Sequence, residues 1–339
     1  MSGVPISDDG IMLRAIALAA KGLGHTRPNP AVGAVIVLDG QIAGEGWHRR
    51  AGGDHAEVAA IRNAVKRGFP KLDGATIYVT LEPCSKPGRV GACTDAIIAA
   101  GISRVVYAVD DPNPRNRGKA KRALARFGVK CERFGGDKSV LKEAYSLVRD
   151  FRKHVLTGLP YVTVKIAMSL DGRICDDFGD AKWISSPGSR KYTGGMFRER
   201  SDAIMVGGET VRKDDPSLLS HGRRNDDLLR VVVSKSGNLP EKARIFTDGA
   251  PNKTLVFGDA KMALVELGRM GVMSVLCEGG LKLARSLAEQ GLVDEWISVL
   301  APVVIGSRPI GEAVRGKMNK DGCRLAYGDV FSSVEFGGF

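Results

Sequence analysis

Two short stretches that must meet in space constrain the chain most. His55-Ala56-Glu57 opens an apolar helical pattern (Val58, Ala59, Ile61, Ala64, Val65), and Pro83-Cys84 follows the β-branched run Thr76 to Leu81, with Cys93 a loop further on. A helix N-terminus facing a strand end is where side chains converge, so an α/β fold is expected. His55, Cys84 and Cys93 then offer one nitrogen and two sulfur donors to a single Zn2+. Three protein ligands leave a fourth tetrahedral position to water, whose pKa the metal lowers from about 15.7 to roughly 7. Glu57 lies two residues past the first ligand and is not itself one. It suits proton transfer from that water to a ring nitrogen and a departing amine. A Cys taken alone is more often an inert buried thiol. The ordered set changes that balance and points to zinc-dependent hydrolytic deamination. Many nucleobase deaminases space the two thiolates as Pro-Cys-x-x-Cys. Here Ser85 to Ala92 separate them, which argues against a plain cytidine or tRNA-adenosine deaminase.

Along the chain, residues 7 to 22 read as an amphipathic helix with Asp8 or Asp9 as N-cap. Val32 to Val37, Asp39-Gly40 and Gln41 to Gly44 read as a β-hairpin, since Asp-Gly suits a two-residue turn. Strands at Thr76–Leu81, Arg104–Val109 and Val129–Phe134 alternate with helices at Thr94–Ala100 and Lys119–Phe127, which predicts a three-layer α/β/α sheet. A helix from Asp137 to Leu156 leads to Thr157-Gly158-Leu159-Pro160, read as a linker. A second alternation follows, with strands at Tyr161–Ala167, Asp202–Val206, Leu229–Val233, Lys253–Phe257, Ser274–Cys277 and Trp296–Leu300. The two halves share no repeat, so two different domains are expected, 1–156 and 157–339.

Composition narrows the classes. Hydrophobic residues at 43% and charged residues at 26% describe a soluble globular protein. No apolar run is long enough to span a bilayer, and MSGVPISDDG does not read as a secretory signal, so a cytoplasmic protein with no membrane partner is expected. Six Cys in 339 residues are no disulfide scaffold, and a thiolate metal site favours a reducing setting. The net charge of +12 raises nucleic acid as a partner. Lys and Arg are scattered, however, with no aromatic-interleaved stripe, so a phosphorylated small molecule and a phosphate-bearing cofactor account for the charge and no nucleic acid is expected.

The motifs Pro28-Asn29-Pro30-x-Val32-Gly33, Ala51-Gly52-x-x-His55-Ala56-Glu57, Thr80-Leu81-Glu82-Pro83-Cys84-Ser85 and Asp111-Pro112-Asn113-Pro114 resemble the bifunctional deaminase/reductase family of riboflavin biosynthesis. Lys165-x-Ala167-x-Ser169-Leu170-Asp171-Gly172, Trp183-Ile184-Ser185-Ser186, Thr210-Val211-x-x-Asp214-Asp215-Pro216-x-Leu218 and Glu278-Gly279-Gly280 continue the likeness in order. The resemblance implies a cytidine-deaminase-like domain followed by a dihydrofolate-reductase-like α/β domain. The first would hydrolyse the C2 amine of a diaminopyrimidinone ribotide. The second would pass hydride from NADPH to C1′, turning ribosyl into ribityl. It implies substrate contacts at Asn29, Arg198, Leu218 and Glu278, cofactor contacts at Ala167, Trp183, Thr210, Asp214, Gly279 and Gly280, and Lys165 with Glu278 beside C1′. A homo-oligomer is expected.

Read without that resemblance, the second half says less. Glu278-Gly279-Gly280 after an apolar run is a strand-to-helix turn whose N–H groups can face a pyrophosphate, though a lone Gly-Gly is commonly just a turn. The G-x-G-x-x-G fingerprint is absent, which disfavours a Rossmann domain. Several positions depart from the family pattern. Lys86 stands where His is usual and is expected to meet the substrate, Gly91-Ala92 replace Pro-Pro, and Ala181 replaces Ser. His221 replaces an Arg, a loss that Arg223 can make good. Asn116 and Arg117 sit where small or apolar residues are usual. Two alternatives remain at this point: a divergent paralogue with one domain inactive or acting on a related phosphoribosyl pyrimidine, and a nucleic-acid deaminase with an accessory domain.

Overall fold

The computed structural model describes residues 7–86, 91–180, 184–219, 228–249, 254–307, 314–315, 325–326 and 329–336. The chain divides into two compact units, Met1–Gly158 and Leu159–Phe339.

The first unit runs α1 (Asp8–Ala19), β1 (Gly33–Leu38), β2 (Gln41–Trp47), α2 (Ala56–Lys66), β3 (Thr76–Leu81), α3 (Cys93–Ala99), β4 (Arg104–Val109), α4 (Lys119–Ala125), β5 (Lys130–Arg133) and α5 (Lys138–Thr157). Its sheet has the order β2-β1-β3-β4-β5. β1 is antiparallel to both neighbours, and β3, β4 and β5 are parallel. Strand side chains alternate between faces. Val35, Tyr78 and Val106 pack with α1 and α5. Ala34, Ile36, Ile77, Val79 and Val105 pack with α2, α3 and α4. The sheet is therefore the middle of three layers. Asp39 and Gly40 both take positive φ, 49° and 72°, the geometry that a two-residue hairpin turn requires.

α1 is capped one residue earlier than the expected Asp8 or Asp9. The cap of α1 is Ser7, whose Oγ accepts from the Gly10 N–H at 3.2 Å. Asp8 and Asp9 have longer-range partners: Asp8 accepts from the Tyr78 hydroxyl at 2.5 Å, and Asp9 from the Asp137 N–H at 2.9 Å.

The second unit runs β6 (Tyr161–Met168), α6 (Pro187–Tyr192), a π-helical turn (Thr193–Phe197), β7 (Ala203–Gly207), α7 (Gly208–Asp214), β8 (Leu229–Val233), α8 (Arg244–Thr247), β9 (Thr254–Phe257), α9 (Ala260–Arg269), β10 (Ser274–Cys277), α10 (Leu281–Glu289) and β11 (Glu295–Leu300). The short strands β12 (Val303–Val304), β13 (Val314–Arg315) and β14 (Leu325–Ala326) and the longer β15 (Asp329–Glu335) follow. The main sheet has the order β14-β15-β11-β6-β10-β7-β8-β9. From β11 to β9 all pairings are parallel, and β15 adds antiparallel to β11. The helices α9 and α10 pack on Val162, Met205 and Val275, while Ile204, Val206 and Val232 face α7 and α8. Parallel strands buried on both faces read as continuous apolar runs, as Ser274–Cys277 does. No described helix is long and apolar enough to cross a membrane.

Candidate active sites

The first site is built where α2 begins against the end of β3. His55 is the N-cap residue of α2, Cys84 lies just past β3, and Cys93 opens α3. One donor atom from each of the three lies within 4.8 Å of the others. His55 Nδ1 is 3.1 Å from Cys93 Sγ and 3.7 Å from Cys84 Sγ. Tetrahedral zinc with Zn–S of about 2.3 Å and Zn–N of about 2.0–2.1 Å sets ligand–ligand edges of about 3.5–3.8 Å; the His55–Cys84 separation matches, the His55–Cys93 one is shorter by a few tenths of an ångström, and one nitrogen with two sulfur donors suits the ion. The Cys93 N–H also points to Cys84 Sγ at 3.4 Å, a donor that favours thiolate. The Cys93 and His55 side chains lower the Cys84 pKa by hydrogen bonding. Cys93, hydrogen-bonded to Cys84 and buried, is pushed the other way, and the Cys84 contact raises His55. Such shared protons are those a bound metal displaces.

Glu57 sits in the first turn of α2 and is 3% exposed. Burial raises its pKa above the ordinary carboxylate range, which moves it toward a proton shuttle's working range. The adjoining pocket of about 260 Å³ is lined by Asn29, His48, His55, Glu57, Cys84, Asp111, Asn113, Asn116 and Phe151, among others. Asn29 is thus brought to the site. Lys86 is exposed and does not line it. His48, which the sequence reading missed, is buried at 3%. Its Nδ1 is 2.8 Å from the Asp54 carbonyl and its Nε2 3.0 Å from Asn29 Nδ2. Burial lowers its pKa. A neutral ring with the proton on Nδ1 satisfies both contacts, and it fixes the Asn29 amide with Nδ2 toward the ring. The sequence signal for His48 was weak, since one His after a strand is usually a packing residue.

The second site lies at the carboxyl ends of the parallel strands, where open α/β sheets bind ligands. Lys165, Ala167, Arg198, Thr210, Asp214, Glu278, Gly279 and Gly280 line one cavity of about 430 Å³, together with Ser185, Arg190, Thr193 and Gly194. Arg198 donates to Glu278 at 2.6 Å and to the Leu219 carbonyl at 2.8 Å, while its buried Nε has no partner among the described residues. Leu218 is buried with Ile204, Val206 and Val232, so its side chain belongs to the core. Its φ of 59° turns the chain so that the next carbonyl reaches Arg198. Trp183, His221 and Arg223, with Ala181, lie outside the described residues. An adjoining groove of about 970 Å³ shares Thr210, Asp214 and Gly280 with this cavity and runs past Gly207, Ser234, Lys235, Gly258 and Lys282. α10 starts at Gly280 with no side-chain cap. Uncapped N–H groups, flanking lysines and glycine walls fit a dinucleotide phosphate. Of the residues missed here, Ser185 lies just before the N-cap of α6, while Arg190, Thr193 and Gly194 belong to α6 and the π-turn that continues it, which has no mark in the hydrophobic pattern.

A helix-borne His-x-Glu and two thiolates on a three-layer sheet, joined in one chain to a parallel-sheet unit with a dinucleotide-sized groove, define a zinc deaminase fused to a nucleotide-dependent reductase. Residues 6–109 match the cytidine and deoxycytidylate deaminase zinc-binding region, and residues 160–324 match the RibD C-terminal domain. The riboflavin biosynthesis protein RibD of Escherichia coli is 36% identical over 337 residues, with 89% of each chain covered. That of Aquifex aeolicus is 36% identical over 327 residues, with 88% of each covered. Among solved structures, a Thermotoga maritima diaminohydroxyphosphoribosylaminopyrimidine deaminase/5-amino-6-(5-phosphoribosylamino)uracil reductase is 32% identical, covering 96% of this chain and 98% of its own, with a TM-score of 0.83. Acinetobacter baumannii RibD is 33% identical with a TM-score of 0.80, covering 97% and 98%. The chain belongs to the RibD family of riboflavin biosynthesis. It is an enzyme with both a zinc-dependent deaminase and an NADPH-dependent reductase domain.

Proposed function

We propose that the first unit, about residues 1–156, releases the C2 amine of 2,5-diamino-6-(5-phosphoribosylamino)pyrimidin-4(3H)-one as ammonia. The second unit, from about residue 157, then reduces the ribosyl group of the product to ribityl. His55, Cys84 and Cys93 hold the zinc, which when bound lowers the pKa of a water at its open position. Glu57 takes one proton from the attacking water and gives it to the ring nitrogen, then takes a second from the hydroxyl left on C2 and gives it to the departing amine. Its burial beside the ligand triad, within the first turn of the helix that His55 caps, carries this reading. Asn29, held by His48, orients the pyrimidine.

In the second unit NADPH supplies hydride when bound. Lys165 and Glu278 face the same cavity, and we assign Lys165 the proton delivered as C1′ is reduced and the ring oxygen leaves. Glu278, tied to Arg198, orients the sugar, and the guanidinium of Arg198, which lines the same cavity, meets its phosphorylated end. Ala167, Thr210, Asp214, Gly279 and Gly280 form the cofactor side, with Trp183 assigned there from its motif. Leu218 stays assigned to the substrate on the resemblance, and Lys86, His221 and Arg223 on their places at or beside positions where the family carries a different substrate contact.

The reductase assignment is tested with Lys165→Met. NADPH oxidation on the deaminated intermediate should fall by about 10²-fold or more, while ammonia release is unchanged. Wild-type oxidation by that variant removes Lys165 from the chemistry.

A further inference from the structure

The loop from Asp110 to Gly118 forms one wall of the deaminase pocket, and its geometry is unusually constrained. Glu82, just past β3 and buried, accepts from the N–H groups of Asp111 at 3.3 Å, Gly118 at 3.0 Å and Ala120 at 3.2 Å. One carboxylate thus pins both ends of the loop. Within it, the Asn116 N–H donates to the Asn113 carbonyl at 2.9 Å. Asp111, also buried, accepts from the Asn113 N–H at 2.8 Å and from Asn116 Nδ2 at 3.0 Å.

A carboxylate only accepts, so this last contact decides which end of the Asn116 amide faces Asp111. The Oδ1 atom and the second N–H remain for the pocket that Asn116 lines. Asn29 is set in the same manner by His48. The pocket therefore presents two carboxamides from different loops, each with one N–H already committed and a carbonyl oxygen in a fixed direction. An aminopyrimidine ribotide carries amine, ring N–H and hydroxyl donors, and preset acceptors reward such a ligand and penalise one that lacks them.

We infer that Asn116 is a specificity-determining residue of the deaminase, its carboxamide held by Asp111 and hydrogen-bonded directly to an N–H or hydroxyl donor of the bound aminopyrimidine ribotide. The inference rests on this pocket being where the pyrimidine binds. A direct contact made equally in ground and transition states sets KM more than kcat.

The test is Asn116→Val, with Asn116→Ala as a second variant, in the full zinc-loaded chain. Ammonia release is measured against substrate concentration, and zinc content and NADPH oxidation on supplied deaminated intermediate serve as controls of folding. The expected result is a KM raised roughly three- to tenfold, the scale of one neutral hydrogen bond, with kcat within twofold and both controls at wild-type level. An unchanged KM in a variant that passes the controls overturns the inference. So does a fall in kcat that tracks zinc loss, since Asn116 would then only hold the loop. Glu57→Gln measured alongside separates the two levels. If it retains ammonia release, the pocket itself is misassigned; if it loses release while Asn116→Val is silent, only Asn116 is.

Discussion

At the residue scale, Glu57 is the group whose removal separates chemistry from architecture. Glu57→Gln keeps the shape of a buried side chain and removes its capacity to carry a proton, while leaving the three ligand residues untouched. The expected outcome is a full zinc complement and ammonia release lowered by about 10² to 10⁴-fold, read by metal analysis and an ammonia assay on one sample. Cys84→Ser should behave differently, because the two thiolates carry much of the affinity for a soft-tolerant ion. Zinc and deamination should be lost together, with NADPH oxidation retained. In the second unit, Asp171 accepts from the Ile305 and Gly306 N–H groups at 3.2 and 2.8 Å. The Ser169 side chain and these amides bring its carboxyl down to about 2. A carboxyl with a lower pKa folded than unfolded adds stability above the unfolded value of about 3.9, and loses it as pH falls through the folded one. The difference in thermal midpoint between wild type and Asp171→Asn should therefore be constant above about pH 4 and shrink toward pH 2. A constant difference across that window would show that the anchor does not depend on charge.

At the element scale, the site depends on how closely α2 lies on the sheet. A Cβ at Gly46 would meet the Ala60 nitrogen at 2.3 Å and the Ala56 carbonyl at 2.6 Å, both backbone atoms that cannot step aside. Gly46→Ala should cost about 1–3 kcal/mol by overpacking and shift the helix that carries His55 and Glu57. A lower thermal midpoint with reduced deamination is expected, and an unaffected protein would mean that the helix can move freely. Much of this layer was legible in the sequence, because β-branched runs, an Asp-Gly turn and a helix opening on His-x-Glu are local signals. The Thr193–Phe197 π-turn was not, since its i to i+5 bonding alters no apolar period. Nor was β15, which lies beyond the family motifs and pairs at long range with β11. Ser7 was passed over as a cap because two carboxylates followed it, and their partners at Tyr78 and Asp137 are distant in sequence. His48 and Asn116 were invisible as site residues for the same reason: each acquires its role from a partner, the Asp54 carbonyl or Asp111, that only folding brings near.

At the scale of the whole molecule, two sheets, each with its own hydrophobic core, carry two chemistries in one chain. On the proposed function, these units perform successive steps on one phosphoribosyl pyrimidine. The decisive measurement gives the purified zinc-loaded protein the diaminopyrimidinone ribotide and follows ammonia and the nicotinamide absorbance band together. Without NADPH, ammonia should be released stoichiometrically. With NADPH, oxidation should follow after a lag and reach one equivalent per ammonia, and Glu57→Gln should suppress both, with oxidation alone restored when the deaminated intermediate is supplied. NADPH oxidation that proceeds in Glu57→Gln on the undeaminated ribotide, or ammonia release with no oxidation to follow it, would contradict the account.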